Sequence, residues 1–522
     1  MPVRQRKPRE INQQLVPLLL LAVGLVTTNR SATFLDDEAT FLGSAAQPLR
    51  TIFSGIFSGP STHDPSALYS IVMHFWLRWT GEFDYLRIPS ILFFLAGMIL
   101  LSRASRQLTG ASGGGAVIWL GVLWPLGFHD VRLASGFSFS FFLIAALTLS
   151  YFKFLENQTF ARWVVLSVFY AALICTNYFG WAILACLAID QALRTGAKEM
   201  AANPRPLLGI SALLLVSLPL FAAAFRAEFL SATRMHRGAG AILANAGFNL
   251  YSLFVSISIA PWYWRFSVPA ALAVVLCLVM VVRRLPQSAR RFLLFSAALI
   301  VLMALAGTVS ANDLLLPAPW LLLAVGVAIE TAKPRWESFA LAASLLIIGG
   351  MGWYGIYARR FYADMRFVEP WPEIAADTAA KIGAGATVIA DHPSFLFYLT
   401  NDLHLPAQNG PWKFEGLLPE TVRHLQVYSP SAWLAANRPA SGKMVLVRGG
   451  GEAEGNEAID QAARKLDQSC GTISSRLRVR DEGYKWKQLF FPQLRETQWK
   501  IEIREYDCDS SNSKQIYHIP AP

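Results

Sequence analysis

Residues 163–193 read WVVLSVFYAALICTNYFGWAILACLAIDQAL, and how this run is divided decides how the chain folds. It holds no charge before Asp190 and is far longer than the ~20 residues that cross about 30 Å of hydrocarbon. The apolar pattern is interrupted at Asn177 to Gly180. As a single crossing, the run would set Arg162 on one side and Arg194, Lys198 and Arg205 on the other, against the cytoplasmic bias of short basic loops. As two short spans folded into a hairpin, it returns all four cations to the same side. The hairpin is the expectation.

Working outward, further apolar runs lie near residues 13–29, 86–102, 113–129, 135–152, 206–225, 266–282, 292–310, 314–329 and 338–358. With the hairpin they make about eleven spans, so the chain is expected to be a polytopic α-helical membrane protein. That count places Arg103 and Arg106, Lys153 and Arg162, the Arg283–Arg291 cluster, and Lys333 and Arg335 in the cytoplasm. An odd number of crossings sends the C-terminal part outside, with Arg359 and Arg360 as the exception to the charge rule. The basic leader Arg4, Arg6, Lys7 and Arg9 precedes a run with no small-x-small cleavage site, so a retained first helix is expected, its N-terminus cytoplasmic.

Composition agrees. Of 522 residues, 54% are hydrophobic and only 16% charged, too apolar for a soluble protein of this size. The net charge of +11 is dispersed between apolar runs, which is a membrane-orienting pattern and argues against nucleic acid as a partner. Cys175, Cys186 and Cys277 lie in apolar runs, and no Cys/His spacing suits a structural zinc. Cys470 and Cys508 fall in the exported part, where they are expected to pair.

The last 160 or so residues have ordinary soluble composition, dividing the chain into a membrane domain, 1–363, and a soluble domain, 364–522. In the latter, WPEIAADTAAKI and EAIDQAARKLDQ read as helices, and TVIAD, KMVLVRG, GTISSRLRVR and WKIEIREYD as strands, a small α/β domain. The triple glycine Gly449 to Gly451 fits no nucleotide motif and reads as a turn. Two outer segments are long. Residues 226–265 carry Arg226, Arg234, His236, Arg237 and the aromatic PWYW; residues 30–85 carry Asp36, Asp37, Glu38, His63, Asp64, Glu82, Asp84 and PSALYSIVMHFWLRW, too short to span and suited to the membrane interface with Trp76 and Trp79 as anchors.

The strongest chemical feature is LDDEATFL, Leu35 to Leu42, directly after the first span. Three successive carboxylates are a solvated loop in the plain account. In the functional one, a carboxylate held beside the bilayer is a base that can meet a lipid-borne substrate. Asp36 and Glu38 crowd Asp37 with negative charge, which favours proton uptake there.

The order Asp37–Glu38, then THDPSALY through Tyr69, then LRIPS at Leu86 to Ser90 resembles the first outer loop of GT-C class membrane glycosyltransferases. The branch it resembles is the bacterial protein-mannosyltransferase-like one, with its aminoarabinose and rhizobial galacturonosyl transferases. HDVRLASGF, His129 to Phe137, resembles the family's Ala-Arg-Pro-Tyr segment, with Arg132 at the arginine. TNYFG resembles its Thr-His-Tyr-Phe, with Asn177 at the histidine, and LLLPAPWLLL resembles its Arg-Tyr-Leu-Leu-Pro-x-x-Pro. Asn312 and Asp313 stand where the family has Arg-Tyr, and HDPSALY lacks the second proline.

The resemblance implies transfer of a sugar from a polyprenyl-phosphate donor to lipid A, another envelope glycan or a protein, at the outer face of the cytoplasmic membrane. It implies Asp37 and Glu38 as catalytic, and His63, Asp64, Arg87, Arg132 and Asn177 as binding the substrate and its phosphate. Arg226, Arg234, Arg237 and Arg265 are further cations expected near that face. The paired acids are also oxygen ligands of the kind a divalent cation takes, the one cofactor suggested. A transporter and a non-catalytic assembly protein are the other classes open; spans almost free of charge and the absence of internal repeats weigh against the transporter.

Overall fold

The computed structural model describes residues 8–27, 38, 41–42, 45, 47–57, 67–80, 85–110, 114–202, 205–229, 239–256, 259, 264–306, 312–331, 335–355, 371–390, 392–402, 427–436, 440–450, 457–479 and 500–509. The chain divides into two compact units. One comprises Met1–Ser31, Leu49–Val72 and Leu86–Ala363; the other comprises Ala32–Pro48, Met73–Tyr85 and Asp364–Pro522.

The first unit is helical. Its helices are α1 (Pro8–Thr27), α2 (Leu49–Phe57), the start of α3 (Ala67–Thr80), α4 (Ile88–Thr109), α5 (Gly115–Leu123), α6 (Pro125–Asp130), α7 (Gly136–Glu156), α8 (Phe160–Ile174), α9 (Gly180–Ala202), α10 (Arg205–Phe229), α11 (Ala239–Val255), α12 (Trp264–Arg284), α13 (Gln287–Ala306), α14 (Ala318–Thr331) and α15 (Arg335–Trp353). Among the described residues, α4, α7, α12 and α13 are long and apolar enough to cross a membrane, and six further helices are apolar but shorter. This is a helical membrane protein.

Helix α7 is its centre. Its sequence is uncharged up to Lys153 and apolar on every side, as a helix enclosed by others must be. It packs most extensively on α4, where Gly97 lets the backbones close: a Cβ there would lie 2.8 Å from the Phe141 ring. Thr148 of α7 accepts a hydrogen bond of 2.9 Å from the buried Trp320 indole of α14.

Three runs resolve differently from one another. The run 163–193 breaks where expected. Helix α8 ends at Ile174, α9 begins at Gly180, and the two pack together as a hairpin. The side-chain oxygen of Asn177 accepts the Phe179 N–H at 3.0 Å and closes the turn, and Gly180 has no room for a side chain beside Leu173. The run 113–129 is not continuous. Trp124 is extended (φ −87°, ψ 100°) before Pro125, which ends α5 and starts α6. Within residues 226–265 a helix forms, α11, which packs on α6, α13 and α15. Its 17 residues are apolar but fall short of the ~20 that cross the hydrocarbon.

In the second unit a five-stranded mixed sheet has the order β2-β1-β3-β5-β4, from β1 (Thr387–Ala390), β2 (Val427–Tyr428), β3 (Lys443–Gly450), β4 (Gly471–Val479) and β5 (Lys500–Asp507). Strand β1 is parallel to β2 and β3, and β5 is antiparallel to β3 and β4. Alternation along the strands builds two cores. Val388, Val445, Val447 and Ile503 face α16 (Trp371–Gly383) and α17 (Pro393–Asp402). Ile389, Met444, Leu446 and Tyr506 face α18 (Pro430–Ala435) and α19 (Glu457–Ser469). Lys381 ties α16 to β5, bonding Asp377 at 2.7 Å and Glu505 at 2.8 Å; burial lowers its pKa, but the two carboxylates outweigh that and hold it above the usual lysine value.

The expected turn at Gly449–Gly451 is a strand instead as far as it is described: Gly449 and Gly450 pair with Ile501 and Lys500. Glycine is needed at 449 because Trp371 and His392 stack over it, and a Cβ would lie 2.5 Å from the indole. Gly451 lies outside the described residues.

Cys470 and Cys508 form a disulfide spanning 38 residues, with Cα atoms 4.2 Å apart. A link across a loop of that length contributes about 2–4 kcal/mol. The Cys470→Ser, Cys508→Ser protein is therefore expected to lose hydrogen-exchange protection in β4 and β5 while helices of the first unit keep theirs. Free thiols at both positions in protein purified without reductant would contradict the pairing.

Candidate functional site

In the first unit the site is built where α4 and α7 begin. Arg87 precedes α4 with φ −87° and ψ −10°, and Pro89 sets the first turn. Within that turn the Ser90 hydroxyl bonds the Tyr69 hydroxyl at 2.7 Å, both buried. The Tyr69 ring lies 6.2 Å from Phe139 of α7, and Phe93 of α4 lies 4.5 Å from the same ring. Thus THDPSALY, LRIPS and the segment after HDVRLASGF, far apart in sequence, meet through Tyr69, Ser90 and Phe139.

Two arginines are enclosed here. Arg87 is 6% exposed and Arg132 1%. Guanidinium does not deprotonate in a protein, so both bring fixed positive charge into a low-dielectric place, which favours anionic groups beside them. Arg132 also lies over the Phe128 ring, 5.4 Å from its centre. The Ser138 hydroxyl donates to the Val131 carbonyl at 2.9 Å and fixes the turn between α6 and α7.

The same turn holds a pair that the motif contains but to which the sequence assigned no role. His129 Nδ1 lies 2.9 Å from Asp130 Oδ1, with both residues buried. The available signal was two titratable residues side by side in an apolar run. A 3-10 turn, Asn312–Leu315, packs against α6 and α7 and brings Asp313 to this end. By helix direction, the Asn177 turn lies at this end too. Its side-chain oxygen is engaged in closing that turn, a structural use of the residue placed at the family's histidine.

The opposite end of α7 is different in character. Tyr151, about 18 Å along the helix from Phe139, donates to Asp190 at 2.9 Å. Asp190 is fully buried and pairs with Arg194 at 2.5 Å and Arg291 at 3.0 Å, joining α7, α9 and α13. Glu330 accepts from Ser105 at 3.1 Å and from the Ala116 N–H at 3.2 Å, joining α4, α5 and α14. These contacts hold the bundle closed at the end where the basic loops lie.

In the second unit, Glu38, Phe41, Leu42 and Ala45 are helical and buried at spacing i, i+3, i+4, i+7, the inward stripe of one helix face. Glu38 is 0% exposed, unlike a side chain in a solvated loop. Asp37, His63 and Asp64 lie outside the described residues, as do Asp36, Arg234 and Arg237. With Asp37 among them, no ligand set for a divalent cation is assembled from described residues.

No protein-family model and no curated protein sequence matches the chain. Two solved structures of ArnT from Cupriavidus metallidurans do match, one bound to undecaprenyl phosphate and one in the apo state. Both align with a TM-score of 0.52 over 94% of this chain and 96% of theirs, at 13% and 14% identity. The chain shares the fold of these ArnT structures. Within this fold, the arginine-bearing turns before α4 and α7 form one polar end of the helical unit, and the Asp190 and Glu330 contacts form the other.

Proposed function

We propose that this protein is an inverting glycosyltransferase that moves a sugar from a polyprenyl-phosphate carrier to an envelope acceptor at the outer face of the cytoplasmic membrane. The observation that carries it is the convergence of Tyr69, Ser90 and Phe139, with buried Arg87 and Arg132, at one end of a fold shared with a protein crystallised with undecaprenyl phosphate. The acceptor is lipid A, another envelope glycan or a protein; the donor comes from the membrane itself.

The chemistry follows from the charges. An acceptor hydroxyl attacks the anomeric carbon, the bond from that carbon to the phosphate oxygen breaks, and the electron pair stays on the carrier phosphate. Asp37 takes the hydroxyl proton, and Glu38 orients it or makes a second polar contact. Arg87 and Arg132 stabilise the charge growing on the phosphate, with His63, Asp64 and Asn177 completing substrate binding. Attack and departure on opposite faces invert the anomeric centre.

Residues 1–363 are the membrane transferase domain with about eleven spans, and 364–522 are a periplasmic domain. The Cys470–Cys508 bond supports an oxidising compartment for the latter. Alkaline phosphatase fused after residue 365 should therefore be active. Activity only of a cytoplasmic reporter there would mean an even number of crossings, as an added crossing by α11 would give. The function itself is tested by mass spectrometry of envelope glycolipids and glycoproteins from cells with and without the protein. One glycoconjugate should lose a single sugar residue in its absence, and identical profiles would refute the assignment.

A further inference from the structure

Helix α3 carries a histidine that the chemistry above leaves unused. His74 is 3% exposed, and its Nδ1 lies 2.8 Å from the backbone carbonyl oxygen of Ala45. A carbonyl oxygen only accepts, so Nδ1 carries the proton. In the neutral ring Nε2 is then a bare lone pair, and it is buried without a hydrogen-bond partner among the described residues. A buried acceptor left in that condition destabilises the fold. Asparagine would offer Ala45 the same donor, but its amide oxygen, on a shorter side chain, would not reach the place of Nε2. What histidine adds is Nε2, a neutral acceptor directed away from Ala45.

Ala45 belongs to the buried stripe that begins with Glu38. His74 thus bonds the backbone of a residue in the same buried stripe as Glu38. An acceptor nitrogen there suits an O–H donor, and sugars are dense in hydroxyl groups.

We propose that His74 is a substrate-binding residue whose Nε2 accepts a hydrogen bond from a carbohydrate hydroxyl. The proposal rests on the glycosyltransferase reading. No bond to His74 forms or breaks, and the hydroxyl keeps its proton. Nε2 is enclosed, so the hydroxyl reaches it as covering side chains turn aside, a rearrangement of the kind common on binding.

Two variants separate the nitrogens. His74→Asn keeps a donor for Ala45 and removes Nε2; His74→Gln places an amide near Nε2 and gives up the Ala45 bond. The full-length proteins, in native membranes, are assayed by mass spectrometry for the glycoconjugate the wild type modifies, and for melting temperature after purification. His74→Asn should melt like wild type and transfer at least tenfold more slowly. His74→Gln should melt lower yet transfer faster than His74→Asn. Slow hydrolysis of lipid-linked sugars extracted from the same membranes, with acceptor omitted, identifies the hydroxyl: a fall in His74→Asn means it is on the donor, no change means it is on the acceptor. Wild-type transfer by His74→Asn overturns the proposal, as does a parallel loss of melting temperature and transfer, which would make the residue structural. If wild-type membranes modify no glycoconjugate, the transferase reading has failed and takes this proposal with it; an active wild type beside an equally active His74→Asn removes the proposal alone.

Discussion

Asp37→Asn should lower transfer by about two to four orders of magnitude while leaving membrane insertion and yield close to wild type. The substitution keeps the shape of the side chain and removes its capacity to accept a proton. An acceptor hydroxyl must lose its proton as the glycosidic bond forms, so the effect belongs in kcat rather than in binding of the carrier. Asp36→Asn should do much less, since Asp37 and Glu38 occupy the Asp-Glu position of the resemblance. Glu38→Gln is the informative comparison. Glu38 is fully buried on a packed helix face, so its variant should lose some stability as well as activity. The measurement is the rate of glycoconjugate modification in membranes matched for protein. An Asp37→Asn protein that works at near the normal rate would return the acidic cluster to a solvated-loop role.

Asp190→Asn should destabilise the helical unit by about 3–5 kcal/mol without touching the proposed site. Asp190 is fully buried and holds Arg194, Arg291 and the Tyr151 hydroxyl together. Asparagine can still accept the tyrosine hydrogen bond, but two partly buried guanidiniums then face each other with no counter-charge among the described residues. Thermal stability in detergent, followed by size-exclusion chromatography, should fall sharply. Replacing Arg291 with leucine in the same protein should restore part of it, because the stranded charge is then gone. A single Asp190→Asn protein as heat-stable as wild type would mean that the network is relaxed by water and holds little.

The amino-acid sequence by itself determined the elements that depend on local period and charge. Uncharged runs long enough for hydrocarbon became helices, and the break at Asn177 to Gly180 followed from polar side chains and the charges flanking it. The six segments named from residue 371 onward form the helices and strands their periodicity predicts, because a half-buried strand or helix shows its period in sequence. Residues whose fate depends on distant partners were not legible. Gly449 extends a strand because Trp371 and His392 stack over it, a contact that no local pattern encodes. Helix α11 has 17 residues, shorter than an ordinary span, and is held by α6, α13 and α15. At the candidate site, Arg87 and Arg132 were found by motif, but burial in a turn closed by Tyr69, Ser90 and Phe139 was decided by packing of α4 on α7. The free nitrogen of His74 is of the same kind: a residue's identity is local, whereas which of its atoms finds a partner is settled only by the chain that folds against it.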